Sequence, residues 1–425
     1  MRTFRSFPLK DRSYFKAQML NWLRRFNICA FLDNHQYSLP PHLHDCMAAA
    51  GAISVIPNRD SGQLEAINEF CKNSSDWVFG HLGYDLKNEI EGLESGHPDH
   101  INFPDAFLFV PQYLLIIDAD SVSIGSHHND HDAVFNEIAG VDPVGFPVNN
   151  VDVQQRMGRD EYISIIAKLK EHIHRGDCYE INFCQEFYAD DASIDPFATY
   201  SALSALSPNP FSVFYRLNNC YLLCASPERF LTRTGDKLIS QPIKGTITRD
   251  LEDAANDLAL KMELQHSMKD KTENVMIVDL VRNDLSKVCK EGTVEVEELF
   301  GIHAFPQVYQ MVSTVSGEIR EDAGFGEIIK ACFPMGSMTG APKKRVLELI
   351  ERYERTRRGI FSGSVGYITP SKDFDFNVVI RSIMYNQANQ YLSFLAGSGI
   401  TAASDPAAEY DECMLKVNAI TKVLT

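Results

Sequence analysis

The order of apolar and polar positions divides the chain into stretches of two different periods. After Asp160, the residues Tyr162, Ile165, Ile166, Leu169 and Ile173 return at helical spacing and Gly176 ends the run, which predicts a helix capped by Asp160. FSVFYRL, CYLLCA, RFLTR and KLISQPI then alternate or run apolar, separated by Asn218-Asn219 and Thr234-Gly235-Asp236, the residue types that tight turns require. An antiparallel meander is the expectation. A helical stretch follows from about Leu251 to Val281. SVGYI, FDFNVVIRSIMY and YLSFLAG then restore the strand pattern ahead of a last helix opened by Asp405 and Pro406. In FDFNVVIRSI a period of two puts Phe374, Phe376, Val378 and Ile380 on one face and Asp375, Asn377 and Arg381 on the other. Strands cluster with strands and helices with helices, so the fold class is α+β with antiparallel sheets rather than a doubly wound parallel sheet.

Along the chain, residues 1–118 mix short helical and strand-like runs and read as an N-terminal lobe. Residues 119–158 contain HHNDHD and DPVGFP and read as a polar, turn-rich connector; residues 159–425 carry every candidate for chemistry. The histidine cluster lacks a defined ligand geometry and is taken as a solvated loop without a role. The two lobes are expected to form one structural unit.

Composition narrows the function. The 425 residues carry 40 Lys and Arg against 57 Asp and Glu, a net charge of −17, with no basic run. Such a surface repels a polyphosphate backbone, which disfavours nucleic acid and favours a small-molecule substrate. The most apolar window, Ala106 to Ile117, is interrupted by Pro111 and Gln112 and is shorter than the roughly 20 residues that span a bilayer. No membrane span is expected, and the opening MRTFRSFPLKDR lacks the apolar core of a secretory signal, so the expected compartment is the cytoplasm. Ten scattered cysteines with no CxxC are expected to be reduced, mostly buried thiols. An anionic substrate would need a metal ion or placed Arg and Lys to overcome the acidic surface.

Several constellations meet that requirement. FPMGSMTGAPKKR lacks the P-loop arrangement, and Pro342 suits the first turn of the following helix, with the preceding amides free for an anion such as a carboxylate. Gly397-Ser398-Gly399 follows a strand without the Rossmann spacing and reads as a tight turn, with amides near a small anion as the functional alternative. Glu409, Glu412 and Lys416 fall on one face of the last helix, and Asp270 and Glu273 are spaced three apart upstream. Either acidic pair alone reads as a solvated face; converging, the two would form a hard-oxygen site suited to Mg²⁺. Arg381, inside an apolar strand, needs a partner, either a structural carboxylate or a substrate carboxylate. Lys244 in SQPIKGTITR follows an apolar strand, and desolvation there would lower its pKa toward neutrality and make it a nucleophile. Glu228 in SPERF would serve as its acid partner if the flanking strands are neighbours, and otherwise is an ordinary turn residue.

Taken together, SPERFL, QPIKGT, ENVMIVDLVRNDLSKV, FPQVYQMVSTVSG, FPMGSMTGAPKKR, RRGIFSGSVGYI, FNVVIRSI and GSGI with the EYDE helix make the chain resemble the chorismate-utilising enzymes. The likeness runs in order through about 160 to 422, with weaker echoes in GHLGYDLKNEIE. It implies two packed antiparallel sheets with helices outside. The anthranilate-forming branch usually reads PIAGT at this point, whereas the branch that aminates chorismate at C4 typically reads PIKGT, as here. The resemblance therefore implies that Lys244 attacks C2, that Glu228 protonates the departing C4 hydroxyl, and that ammonia enters at C4 to give 4-amino-4-deoxychorismate for 4-aminobenzoate and folate synthesis. It further implies Mg²⁺ on Glu273 and Glu412 with Asp270 and Glu409 nearby, and substrate contacts from Arg381, Lys416, Thr246, Gly397, Ser398 and Gly399. Ammonia would come from a separate glutamine amidotransferase subunit, since no second region of that length with a Cys-His arrangement is legible in the chain. Three positions depart from the pattern: Glu180 where aminating relatives commonly have Gln, Gln310 where anthranilate-forming enzymes have His, and Phe361 where Tyr is frequent. Isochorismate- and salicylate-forming relatives carry a water-activating lysine at the place of Glu180. The alternatives are an anthranilate-forming large subunit and a non-catalytic chorismate-binding regulator.

Overall fold

The computed structural model describes residues 1–37, 44–57, 59, 61–145, 147 and 150–425. Phe146 of the DPVGFP stretch lies outside the described residues. The expected meander resolves into two hairpins, Phe211–Leu217 with Cys220–Ser226 and Arg229–Thr234 with Lys237–Gln241; between them Ser382–Asn386 pairs with Cys220–Ser226 and Phe374–Asn377 with Arg229–Thr234, and Ile243–Thr248 pairs with Val308–Glu318 rather than with Lys237–Gln241. Asn218 takes φ 55° in the first hairpin and Gly235 takes φ 60° in a later one, the left-handed backbone that these turn residues tolerate.

Side-chain alternation along the strands generates two cores. In Cys46–Val55, Met47 and Ala49 face one core and Cys46, Ala48 and Ala50 the other; in Cys220–Ser226, Leu222 and Cys224 oppose Tyr221, Leu223 and Ala225. The first core also takes Leu231, Leu238, Val365, Phe374 and Phe376, so it lies between two packed layers of sheet. The second collects the buried sides of helices Arg12–Trp22, Arg159–His174, Pro196–Leu206 and Pro406–Leu424, which cover the sheet from outside. The ladders of the two layers join into one hydrogen-bonded network, because the strand Ala106–Asp118 serves both. Its first residues pair with Val78–Leu82 and its later ones with Cys46–Ala50 and Ser121–Ser126; the register shifts opposite Pro111, which has no amide to donate.

The lobes share ladders. Ile28–Asp33 pairs with Phe211–Leu217, and Val78–Leu82 pairs with Ser364–Ile368. The span read as a connector is structured in its first half, where Ser121–Ser126 is a strand between two others and His131–Ala139 is a helix. The histidines there are engaged by protein groups: His127 Nε2 lies 2.9 Å from Asp76 Oδ2 and His131 Nε2 lies 2.9 Å from the Thr3 carbonyl.

Four further local expectations are corrected. The helix Arg159–His174 is capped by Gly158, leaving Asp160 and Glu161 in its first turn, where carboxylates favour the dipole. The stretch from Leu251 to Val281 is two helices, Ala254–His266 and Met268–Ser286, divided at Ser267, whose hydroxyl caps the second by accepting from the Asp270 amide. The strand through Arg381 is broken: Phe374–Asn377 ends, Arg381 takes φ 51°, and Ser382–Asn386 begins a new ladder. Gly397-Ser398-Gly399 lies inside the strand Tyr391–Ile400, paired with Cys184, Phe183 and Asn182, and is not a turn. All ten cysteines are free, and nine of them are buried.

Candidate active site

Lys244 is placed by a bulge. The register of Ile243–Thr248 against Val308–Glu318 slips between Ile243 and Thr246, and Gly245 between them takes φ 86°. An extra residue in one strand re-aims a side chain. A side chain at Gly245 would meet Asp270 at 2.9 Å, so the lysine strand approaches helix Met268–Ser286 closely because that position is bare. Glu228 stands at the end of the Ser226–Glu228 turn, its amide donating to Ser226 Oγ at 3.2 Å and its carbonyl accepting from Val378 at 3.0 Å. The neighbouring strands pair Arg229 with Gln241, which brings Glu228 against Ile243 and Lys244. The strands flanking Glu228, Cys220–Ser226 and Arg229–Thr234, do not pair with each other; Glu228 and Lys244 are within electrostatic reach, while the lysine's direct carboxylate partner is Glu180.

Lys244 Nζ donates to Glu180 Oε1 at 2.8 Å and lies 4.0 Å from Glu273 Oε2. Gly399 makes room for that pair, since a Cβ there would come within 2.7 Å of Glu180 Oε1 and 2.9 Å of Lys244 Nζ. The expectation of a lowered lysine pKa is overturned. Burial alone would lower it, but Glu180, Glu273 and Glu228 outweigh burial and hold the ammonium above its ordinary value. The carboxylic acids move the other way. Burial pushes Glu228 up to about 7, against the Ser337 hydroxyl, Lys244, the Ile243 amide and Arg381, all of which favour the charged form. Burial likewise lifts Glu273 to about 7, opposed by Lys244 and Lys269. A carboxylic acid lifted to about 7 can carry a proton near neutral pH, as a general acid must, whereas the neighbouring carboxylates hold the lysine charged.

Arg381 is within electrostatic reach of Glu228, its guanidinium drawn below its usual value by burial and held up by that carboxyl. Thr246 follows Lys244 by two residues on the same strand, is exposed, and faces Gln310 in register. Gln310 is fully buried and neither side-chain atom has a partner. Lys416 is engaged by the protein, donating to the Gly397 carbonyl at 2.8 Å and Glu412 Oε1 at 2.9 Å. Gly340-Ala341, expected to leave amides free, pairs instead as a short strand with Glu180-Ile181.

The two acidic pairs come to the same region without closing on a common point. Among the described residues, no group of three or more His, Cys, Asp or Glu side chains stands as a metal cage. Lys269 lies between the helices, its Nζ 3.5 Å from Glu409 Oε1 and 3.9 Å from Glu412 Oε2. The donor chemistry nevertheless suits a hard cation, because Glu273 Oε1 and Glu409 Oε2 are buried carboxylate oxygens with no partner. Two contributors escaped the sequence reading. Lys269 carried the weak signal of a cation beside the acidic pair Asp270 and Glu273; Ser337 lay in the glycine-rich stretch considered only for its amides. Phe361 packs in the inter-sheet core. A cavity of about 710 Å³ opens near Arg2, Phe70 and Trp77, away from these site residues.

Residues 46–422 match the family model described as chorismate binding enzyme. Aminodeoxychorismate synthase component 1 of Escherichia coli K12 is 37% identical over 82% of this chain and 76% of its own length; the protein of that name from Bacillus subtilis 168 is 31% identical over 82% and 76%. Among solved structures, anthranilate synthase component I from Streptococcus pneumoniae superposes with a TM-score of 0.79 at 23% identity, covering 91% of this chain and 93% of the other. The menaquinone-specific isochorismate synthase MenF from Escherichia coli gives 0.79 at 18% identity, covering 100% and 94%. The two structural likenesses carry the fold alone: α+β, with packed antiparallel sheets.

Proposed function

Since the chain belongs to the chorismate binding enzyme family, we propose that it aminates chorismate at C4 to give 4-amino-4-deoxychorismate, as component I of an aminodeoxychorismate synthase. The observation that carries this reading is Lys244 hydrogen-bonded to the buried Glu180, with the buried acid Glu228 within its electrostatic reach. Lys244, its proton passed to the surrounding carboxylates, attacks C2 with its free amine. The ring double bond shifts, and the C4 oxygen departs as water with the proton that Glu228 supplies. Ammonia then bonds to C4, the double bond returns, and the C2–N bond breaks to release Lys244. Atoms balance as chorismate plus ammonia giving aminodeoxychorismate plus water.

Arg381, Lys416, Thr246 and the Gly397-Ser398-Gly399 strand are the groups we assign to binding the substrate. Glu273, Glu412 and Glu409, with Asp270 adjacent, would hold Mg²⁺. The ion would supply positive charge for a substrate carboxylate in an acidic protein. Ammonia would be supplied by a separate glutamine amidotransferase subunit, and the product would feed 4-aminobenzoate and folate synthesis in the cytoplasm. No described helix is long and apolar enough to cross a membrane. Against anthranilate formation stands Gln310, a group that cannot shuttle a proton as His would.

The test is incubation of the purified protein with chorismate, Mg²⁺ and excess ammonium, with products separated and identified by mass. Aminodeoxychorismate is expected. Anthranilate or isochorismate would overturn the reaction assigned, and bound but unconverted chorismate would point to a regulator.

A further inference from the structure

We propose that Glu180 Oε2, beside Lys244, is a binding site for an ammonium ion. Glu180 is 2% exposed at the start of strand Glu180–Ala189; one oxygen accepts from Lys244, and Oε2 is buried without a partner. A buried polar atom left so is costly and marks a place where a donor is missing.

Three features select the donor. A carboxylate oxygen only accepts, so the ligand must bring N–H or O–H groups. The ligand must be small, because Oε2 is buried and the other end of the carboxylate is already packed, with Lys244 on Oε1 and the Gly399 backbone so near that a Cβ there would come within 2.7 Å of Oε1. It must also be a monovalent cation. The ammonium of Lys244, 2.8 Å from Oε1, opposes a divalent ion on the same carboxylate and leaves room for a single positive charge at Oε2. Ammonium meets all three demands, and a charge-assisted hydrogen bond to a buried carboxylate is among the stronger ones. Once Lys244 has given up its charge, an ammonium at Oε2 keeps Glu180 paired. The role of this site as the store of aminating nitrogen rests on the amination reading above; its occupancy does not.

Crystals grown with Mg²⁺ and soaked in rubidium or thallium(I), monovalent ions close to ammonium in size and visible by anomalous scattering, test the occupancy. A peak is expected in contact with Glu180 Oε2, displaced by ammonium and absent in Glu180→Gln. In steady-state assays the same variant is expected to raise the KM for ammonium about tenfold, while the KM for chorismate moves less than about twofold. No peak at Oε2, a peak retained in Glu180→Gln, or the two KM values rising together would overturn the proposal. A peak in a protein that forms no aminated product would leave the site standing and remove the amination reading; product without a peak would do the reverse.

Discussion

One strand carries two buried cation–carboxylate clusters within five residues, and they are built in opposite ways. At Asn182 and Cys184, strand Glu180–Ala189 meets Arg358 and Glu354, both almost fully buried. Arg358 donates to both oxygens of Glu354, to the carbonyls of Met338 and Asn182 and to Ser362 Oγ, which uses all five of its N–H groups. Glu354 Oε1 also accepts from the Cys184 amide at 2.9 Å. At Glu180, a single hydrogen bond ties Lys244, while Glu180 Oε2 and Glu273 Oε1 have none. The saturated cluster has nothing left to offer a ligand and fixes the turn at 354–362 to the sheet. The unsaturated one has hydrogen-bonding capacity left for new partners, which is what the role proposed for Lys244 requires.

That contrast can be broken by substitution. The largest effect is expected at Lys244→Ala, which should lower amination at least about 10⁴-fold by loss of the nucleophile, with some loss of stability as Glu180 loses its one donor. Arg358→Ala should act chiefly on stability, leaving Glu354 buried and unpaired and costing about 3–5 kcal/mol in urea unfolding. Glu228→Gln should lower the rate about 10²-fold. The wild-type rate should fall as pH rises through about 7, where Glu228 loses the proton it must give, and that limb should vanish in the variant. Gly399→Ala is the smallest. Its Cβ meets only the mobile ends of Glu180 and Lys244, so activity should drop roughly tenfold with stability changed by less than about 1 kcal/mol. Gly397→Ala sharpens the point, because there the Cβ would come within 1.9 Å of the Phe183 carbonyl and unfolding should dominate.

The residues that could be read from the sequence are those whose signal is local. Asn218 and Gly235 announce the hairpins, and the turn holding Glu228 and the strand holding Lys244 followed from neighbouring apolar runs. The errors lie where a distant partner decides. Gly397 and Gly399 look like turn residues, but are glycine because strand Glu180–Ala189 and the Lys244 pair press against them. Arg381 kept the period of its strand in sequence while the backbone turned to φ 51° to enter a second ladder. The protonation of Lys244 depends on Glu180 and Glu273, far away in the chain. The helix break at Ser267 was legible, since Ser267 and Asp270 stand at cap and third position, a pattern typical of helix starts.

The covalent role of Lys244 is tested most directly by mass spectrometry of the protein after exposure to chorismate and Mg²⁺ without ammonia. The account predicts a mass gain of chorismate less one water, located on the peptide holding Lys244, released as aminodeoxychorismate when ammonium is added and missing in Lys244→Ala. Full amination by Lys244→Ala, or an adduct on another residue, would contradict it.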